Sequence, residues 1–150
     1  MALRIRETLI FVGGLVALAG CGDGGTGPSE VELSGTWAAT EIEFASIANP
    51  SLKVEIVALG AAATLTLLEN GNWTLILTEP GESPRSFGGT WTATSEVLDL
   101  TLTFGFIGEW QFEMALAGDT LTLSGAHMEF DVDGDEQDEA ATLRMVLARE

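Results

Sequence analysis

Cysteine is nearly absent from these 150 residues: Cys21 is the only one. No disulfide can staple the fold, so stability has to come from a core. Histidine is as scarce. His127 stands alone, and with one cysteine beside it no Cys/His metal cage is available. Basic residues are few, 6 Lys plus Arg against 23 Asp plus Glu, for a net charge of −17. Phosphates would be repelled, which excludes nucleic acid as a partner. A basic helix lying on a membrane surface is excluded on the same ground. No apolar run reaches the roughly 20 residues that a membrane-spanning helix needs. Disorder is excluded by the opposite feature, since 46% of the residues are hydrophobic. The length suits one domain.

The one cysteine closes an N-terminal segment of recognisable layout. Arg4 and Arg6 make a positive start, Leu9 to Ala19 is apolar apart from Gly13 and Gly14, and small residues precede Cys21. Basic, apolar, then small is the order of a secretory signal. Leu18-Ala19-Gly20-Cys21 also resembles the bacterial lipobox. That resemblance implies cleavage before Cys21, a diacylglyceryl group on its thiol and an acylated amino terminus. Several acyl chains, at about 0.8 kcal/mol per buried CH₂, would anchor the protein firmly. The expected division is a signal peptide over 1–20, a lipidated cysteine and flexible tether over 21–30, and a folded domain over 31–150. Gly22–Ser29 reads GDGGTGPS, a Gly-rich linker. Loss of Arg4, Arg6 and Glu7 with the signal moves the net charge from −17 to about −18. By resemblance to enterobacterial lipoproteins, Gly22 rather than Asp after the cysteine favours the outer membrane of a bacterial envelope.

Past residue 30 the pattern is strand after strand. Trp73, Leu75 and Leu77 alternate with Thr74, Ile76 and Thr78, after the hairpin signal Asn70-Gly71. Leu98, Leu100, Leu102 and Phe104 share one face; so do Trp110, Phe112, Met114 and Leu116; so do Ala141, Leu143, Met145 and Leu147. Period-two patterning of this extent predicts an all-β fold. About eight to ten hairpin-linked strands suggest an antiparallel up-and-down β-barrel, because closure removes the sheet edges. Leu52–Ala58 is ambiguous. The β-branched Val54, Ile56 and Val57 favour a strand entered through a loop over a short helix begun at Asn49-Pro50.

Gly35-Thr36-Trp37 at the start of the first strand resembles the Gly-x-Trp signature of the lipocalin-like superfamily. In that family the tryptophan closes one end of the barrel, and an arginine late in the last strand packs over it. The resemblance gives Gly35, Trp37 and Arg149 this barrel-closing role. It covers roughly residues 33–149 in strand rhythm. Gly-x-Trp recurs at Gly89-Thr90-Trp91, and the family's Thr-Asp-Tyr motif is missing, there being no tyrosine. The chain is shorter than a full lipocalin, and the better match is to small bacterial lipocalin-like lipoproteins.

Candidate chemistry is sparse. Trp73, Trp91, Trp110 and Phe112 either line a ligand pocket or fill a small barrel. Met114, Met128 and Met145 could adapt to a lipophilic guest or serve as gap-fillers. Small inward residues such as Ala61, Ala63 and Gly89 would leave room. Asp131, Asp133, Asp135 and Asp138 stand in an acidic run that includes Glu129, Glu136 and Glu139, with the start of a calcium loop. Counted from Asp131, however, Gly134 is fourth where the EF-hand wants sixth, and Thr142 occupies the glutamate's twelfth place. A solvated hairpin turn is the plainer reading, with weak calcium binding at millimolar level the other. His127 shares the outward face of Glu129 and Asp131. No Gly-x-Ser-x-Gly elbow accompanies it, and the chain is read as neither an enzyme nor a cofactor carrier.

Two functions fit this reading. One is a lipid-anchored barrel binding a small apolar ligand. The other is a structural or interaction lipoprotein with a solid barrel whose acidic surface meets an envelope partner or weakly binds calcium. The anchor common to both is checked by fractionation: Cys21→Ser moves the protein from membrane to soluble fraction, and retention of the variant in the membrane contradicts it.

Overall fold

A computed structural model describes residues 28–150. The segment expected to be a signal peptide, Cys21 and the expected tether up to residue 27 lie outside the described residues. The described chain comprises one helical turn and nine strands: α1 (Glu30–Leu33), β1 (Gly35–Ser46), β2 (Lys53–Glu55), β3 (Ala62–Leu67), β4 (Asn72–Thr78), β5 (Arg85–Ala93), β6 (Val97–Phe104), β7 (Gly108–Ala117), β8 (Thr120–Phe130) and β9 (Glu139–Arg149). Among the described residues no helix is long and apolar enough to cross a membrane.

From β3 to β9 each strand pairs antiparallel with the next. β1 pairs with β3 through Gly35–Ala38 and with β9 from Trp37 opposite Arg149 to Ser46 opposite Ala141. That second pairing closes an eight-stranded up-and-down barrel of lipocalin-like form, the architecture the alternation predicted. β2 stands outside the count, pairing only with the far half of β1, where Phe44 lies opposite Val54.

Alternation puts one face of every strand in the lumen. Leu98, Leu100 and Leu102 of β6 are buried, as are Ala141, Leu143, Met145 and Leu147 of β9. Each fully buried leucine or phenylalanine contributes about 1.5–3 kcal/mol of transfer free energy.

Two details depart from the expectation. The tether was to run to residue 30, yet Ser29 caps α1: its hydroxyl accepts the Glu32 N–H, and the Glu32 carboxylate accepts the Ser29 N–H at 2.8 Å. The turn buries Leu33 under the barrel floor. The strand expected across Leu52–Ala58 lasts only three residues. The Glu55 carboxylate accepts the N–H groups of Val57 and Ala58, which bends the chain into a turn at Ile56.

The barrel closes tightly at the α1 end. Trp37 is completely buried, and its indole N–H donates to the Leu33 carbonyl at 2.9 Å. The Arg149 guanidinium lies over the ring, 4.1 Å from its centroid. It also donates to the carbonyls of Ser34 (3.0 Å) and Glu32, joining the last strand to the segment before the first. Gly35 permits this approach. Its φ is +137°, and a Cβ there would stand 2.9 Å from the Arg149 Nη1. Gly89 follows a β-bulge and is packed more tightly still, since a Cβ would lie 1.9 Å from the Thr101 carbonyl oxygen.

Both contacts are testable by equilibrium unfolding. Arg149→Ala is expected to cost about 1–3 kcal/mol, from the lost cation–π contact and the carbonyls left without a donor. Gly89→Ala is expected to cost at least as much, because backbone must move. Neutral effects at both positions would contradict this closure.

Candidate functional site

The lumen is not filled along its length. In the half nearest α1 the inward side chains are large and sealed: Trp37, Trp73, Leu98, Phe112 and Leu121 are at most 1% exposed. In the opposite half the inward positions are smaller or only half-buried. Ala63 on β3, Leu77 on β4, Phe87 on β5, Trp110 on β7 and Met128 and Phe130 on β8 surround a cavity of about 630 Å³. This falls in the ordinary range of ligand pockets, roughly 300–1,000 Å³. Leu75, Leu143 and Met145 complete the inner wall.

The wall is aromatic on two sides. Trp110 sits 6.0 Å from Phe87 and 6.0 Å from Trp73, measured between ring centroids, with tilted planes. Across the lumen Phe44 and Phe130 stack almost parallel, 3.8 Å apart. The β1–β2, β4–β5, β6–β7 and β8–β9 connections gather at this end. Phe106 and Ile107 of the β6–β7 turn stand exposed at the lip.

Of the residues named from sequence as ligand-binding, Trp110 lies in the cavity wall. Trp73 is the layer beneath it, its indole N–H donating to the Thr101 carbonyl at 3.1 Å. Trp91 and Phe112 belong to the sealed half; the Trp91 N–H donates to Leu68 at 2.9 Å. Ala63 borders the cavity, whereas Gly89 serves the close approach of β5 to β6.

The acidic residues form the β8–β9 connection. The carboxylates of Asp131, Asp133 and Glu139 lie within 4.8 Å of one another, without Asp135 or Asp138. Asp131 is already engaged. It accepts N–H bonds from Gly134 (2.7 Å), Asp135 (3.2 Å) and Glu136 (3.0 Å), and these donors offset its charge. Asp135 accepts the Gln137 N–H in the same manner at 2.9 Å. The carboxylates thus serve as turn acceptors. His127 is exposed on β8 at the rim.

One residue that matters here carries no motif. Glu55 accepts the N–H of Ile42 at 2.9 Å besides those of Val57 and Ala58. It thereby straps the turn bearing Ile56 across the mouth half of β1, and both Ile42 and Ile56 border the cavity. The backbone N–H of Ile42 foremost, with those of Ala58 and Val57, stabilises the ionised carboxylate and holds its pKa below 4.5, against the opposing effect of burial. Only the register brings Glu55 beside Ile42; nothing local in the sequence marks it.

No protein-family model matches the chain, and no match to a curated protein was found.

The depressed pKa of Glu55 gives a signed prediction. Its stabilising contribution is complete above its unfolded-state pKa and is lost as pH falls through the lower folded value. Glu55→Gln is therefore expected to destabilise the protein at pH 7. The gap to the native chain should narrow as pH drops below about 4.5. Unfolding curves at pH 7 and pH 3.5 that differ by the same amount would contradict the strap.

Proposed function

We propose that this chain is a bacterial envelope lipoprotein, tethered through Cys21, whose lipocalin-like barrel binds a small apolar ligand. The observation that carries the binding half is the unfilled lumen: about 630 Å³ walled by aliphatic, aromatic and methionine side chains at one end of an otherwise solid barrel. A purely structural barrel gains by filling that space, since interiors pack to crystal density and voids cost stability. The Gly35-x-Trp37 pair under Arg149 supports the family likeness. The lipobox-like Leu18–Cys21 supports the anchor, and Gly22 after the cysteine the outer membrane. Binding here is hydrophobic burial with shape selection. Trp110 offers a face to stack on, and Met128 and Met145 adapt to the guest.

The competing reading, a solid interaction barrel presenting its acidic surface to an envelope partner or to calcium, draws on the converging carboxylates of the β8–β9 connection. It leaves the lumen without a role.

An uncharged probe, retinol or a long-chain alcohol, separates the two. Binding is expected to be saturable at one probe per chain and to quench tryptophan emission through Trp110. Ala63→Phe, which fills the cavity without opening the sealed half, is expected to weaken it by tenfold or more. Absence of saturable binding, with no small molecule released on organic extraction of the purified protein, would overturn the ligand-binding reading.

A further inference from the structure

One ion pair stands where a guest enters. Arg85 opens β5 directly opposite Leu77 of β4, and two residues further in Phe87 lies opposite Leu75. Leu75, Leu77, Arg85 and Phe87 all border the cavity. Parity thus puts the Arg85 side chain on the inner face, at the mouth. The other ionisable groups around the opening are placed differently. Glu109 adjoins inward Trp110, and His127 and Glu129 flank inward Met128, so parity turns these three outward. Asp138 belongs to the β8–β9 connection, outside the strands.

The Arg85 guanidinium is ion-paired with Glu79, whose side chain is partly buried. The turn between β4 and β5 fixes that carboxylate. The Glu82 N–H donates to the Glu79 carbonyl at 3.1 Å, and Pro80 and Gly81 fill the two central places, with Gly81 at φ +82°. Pro80 in turn packs so close to Gly60 that a Cβ there would stand 3.1 Å from its ring. The pair is therefore held by the fold and offers a guest two opposite charges side by side.

Those charges cancel. A guanidinium has five N–H donors, and Glu79 engages one terminal nitrogen of Arg85. A fatty-acid carboxylate reaching the remaining donors meets the Glu79 carboxylate beside them. An ammonium reaching Glu79 meets the guanidinium. Either ion also gives up water to sit at the mouth. An uncharged oxygen can accept one of the free N–H groups at neither cost.

Resting on the ligand-binding reading above, we infer that the Glu79–Arg85 pair is the head-group filter of the cavity, favouring apolar guests with an uncharged hydrogen-bonding head, an alcohol, ester or amide, over fatty acids and fatty amines. The tail lies among Phe87, Trp110 and Leu77. The head stops at Arg85.

Three probes of one chain length test this on the full-length lipidated protein in mild detergent: dodecanol, laurate and dodecylamine, each corrected for its partition into micelles. The salt is 0.15 M, which screens charges further away than about 8 Å. The native chain is expected to bind dodecanol most tightly. Glu79→Gln leaves Arg85 uncompensated and is expected to raise the affinity ratio of laurate to dodecanol about tenfold. Arg85→Gln leaves Glu79 alone and is expected to raise the ratio of dodecylamine to dodecanol by about as much. Glu82→Gln removes the same charge from the same turn, but Glu82 forms no ion pair among the described residues. It should move either ratio by less than about twofold. Tighter binding of either ion by the native chain overturns the filter and leaves the apolar site standing. Ratios unmoved by Glu79→Gln and Arg85→Gln do the same, as does an equal shift in Glu82→Gln, which would make net charge alone responsible. Failure of all three probes to bind the native chain overturns the cavity reading and this inference together.

Discussion

Everything in this molecule depends on how β1 meets β9. Without that seam the strands form an open sheet with two exposed edges, and the lumen disappears. The seam is long, running from Trp37 opposite Arg149 to Ser46 opposite Ala141, and it is reinforced where a barrel is most prone to fray. There the guanidinium of the last strand covers the indole of the first and holds the carbonyls of Glu32 and Ser34. With no disulfide available, this polar clasp over an apolar floor takes the part that a covalent link plays in small disulfide-bonded domains.

The clasp also explains the asymmetry of the interior. At the α1 end the barrel is sealed by Leu33, Trp37 and the layer of Trp73, Leu98 and Phe112 above them. Stability can be concentrated there, which frees the other half from having to pack solidly. The mouth half is held instead by backbone pairing and by the Glu55 strap, and its inward side chains surround space. Functional sites are commonly the less stable part of a fold, which agrees with the proposed ligand site lying in the mouth half.

Much of this was legible in the residues. Strict alternation in β6, β7 and β9 marks the inner face almost residue by residue, because the pleat makes side-chain direction a matter of parity. The Trp37–Arg149 contact followed from a resemblance at Gly35-x-Trp37 together with the parity of Leu143, Met145 and Leu147. What parity cannot give is height along the barrel. Trp73, Trp91, Trp110 and Phe112 are all inward by pattern, yet Trp110 borders the cavity while Trp91 and Phe112 lie in the sealed half. Their level is set by strand register and barrel stagger, which are properties of the closed sheet. Glu55 was invisible for the same reason. The capping box Ser29-x-x-Glu32 was local and could have been read.

The most direct measurement of a half-filled barrel uses its methionines. Met128 and Met145 border the cavity, and Met114 lies on the same inner surface away from it. With methyl-labelled methionine, addition of an uncharged apolar probe should shift the Met128 and Met145 methyl resonances and leave Met114 in place. Shifts of all three together, or of none while the probe still binds, would mean that the guest sits elsewhere and that the open half of the lumen is not a site.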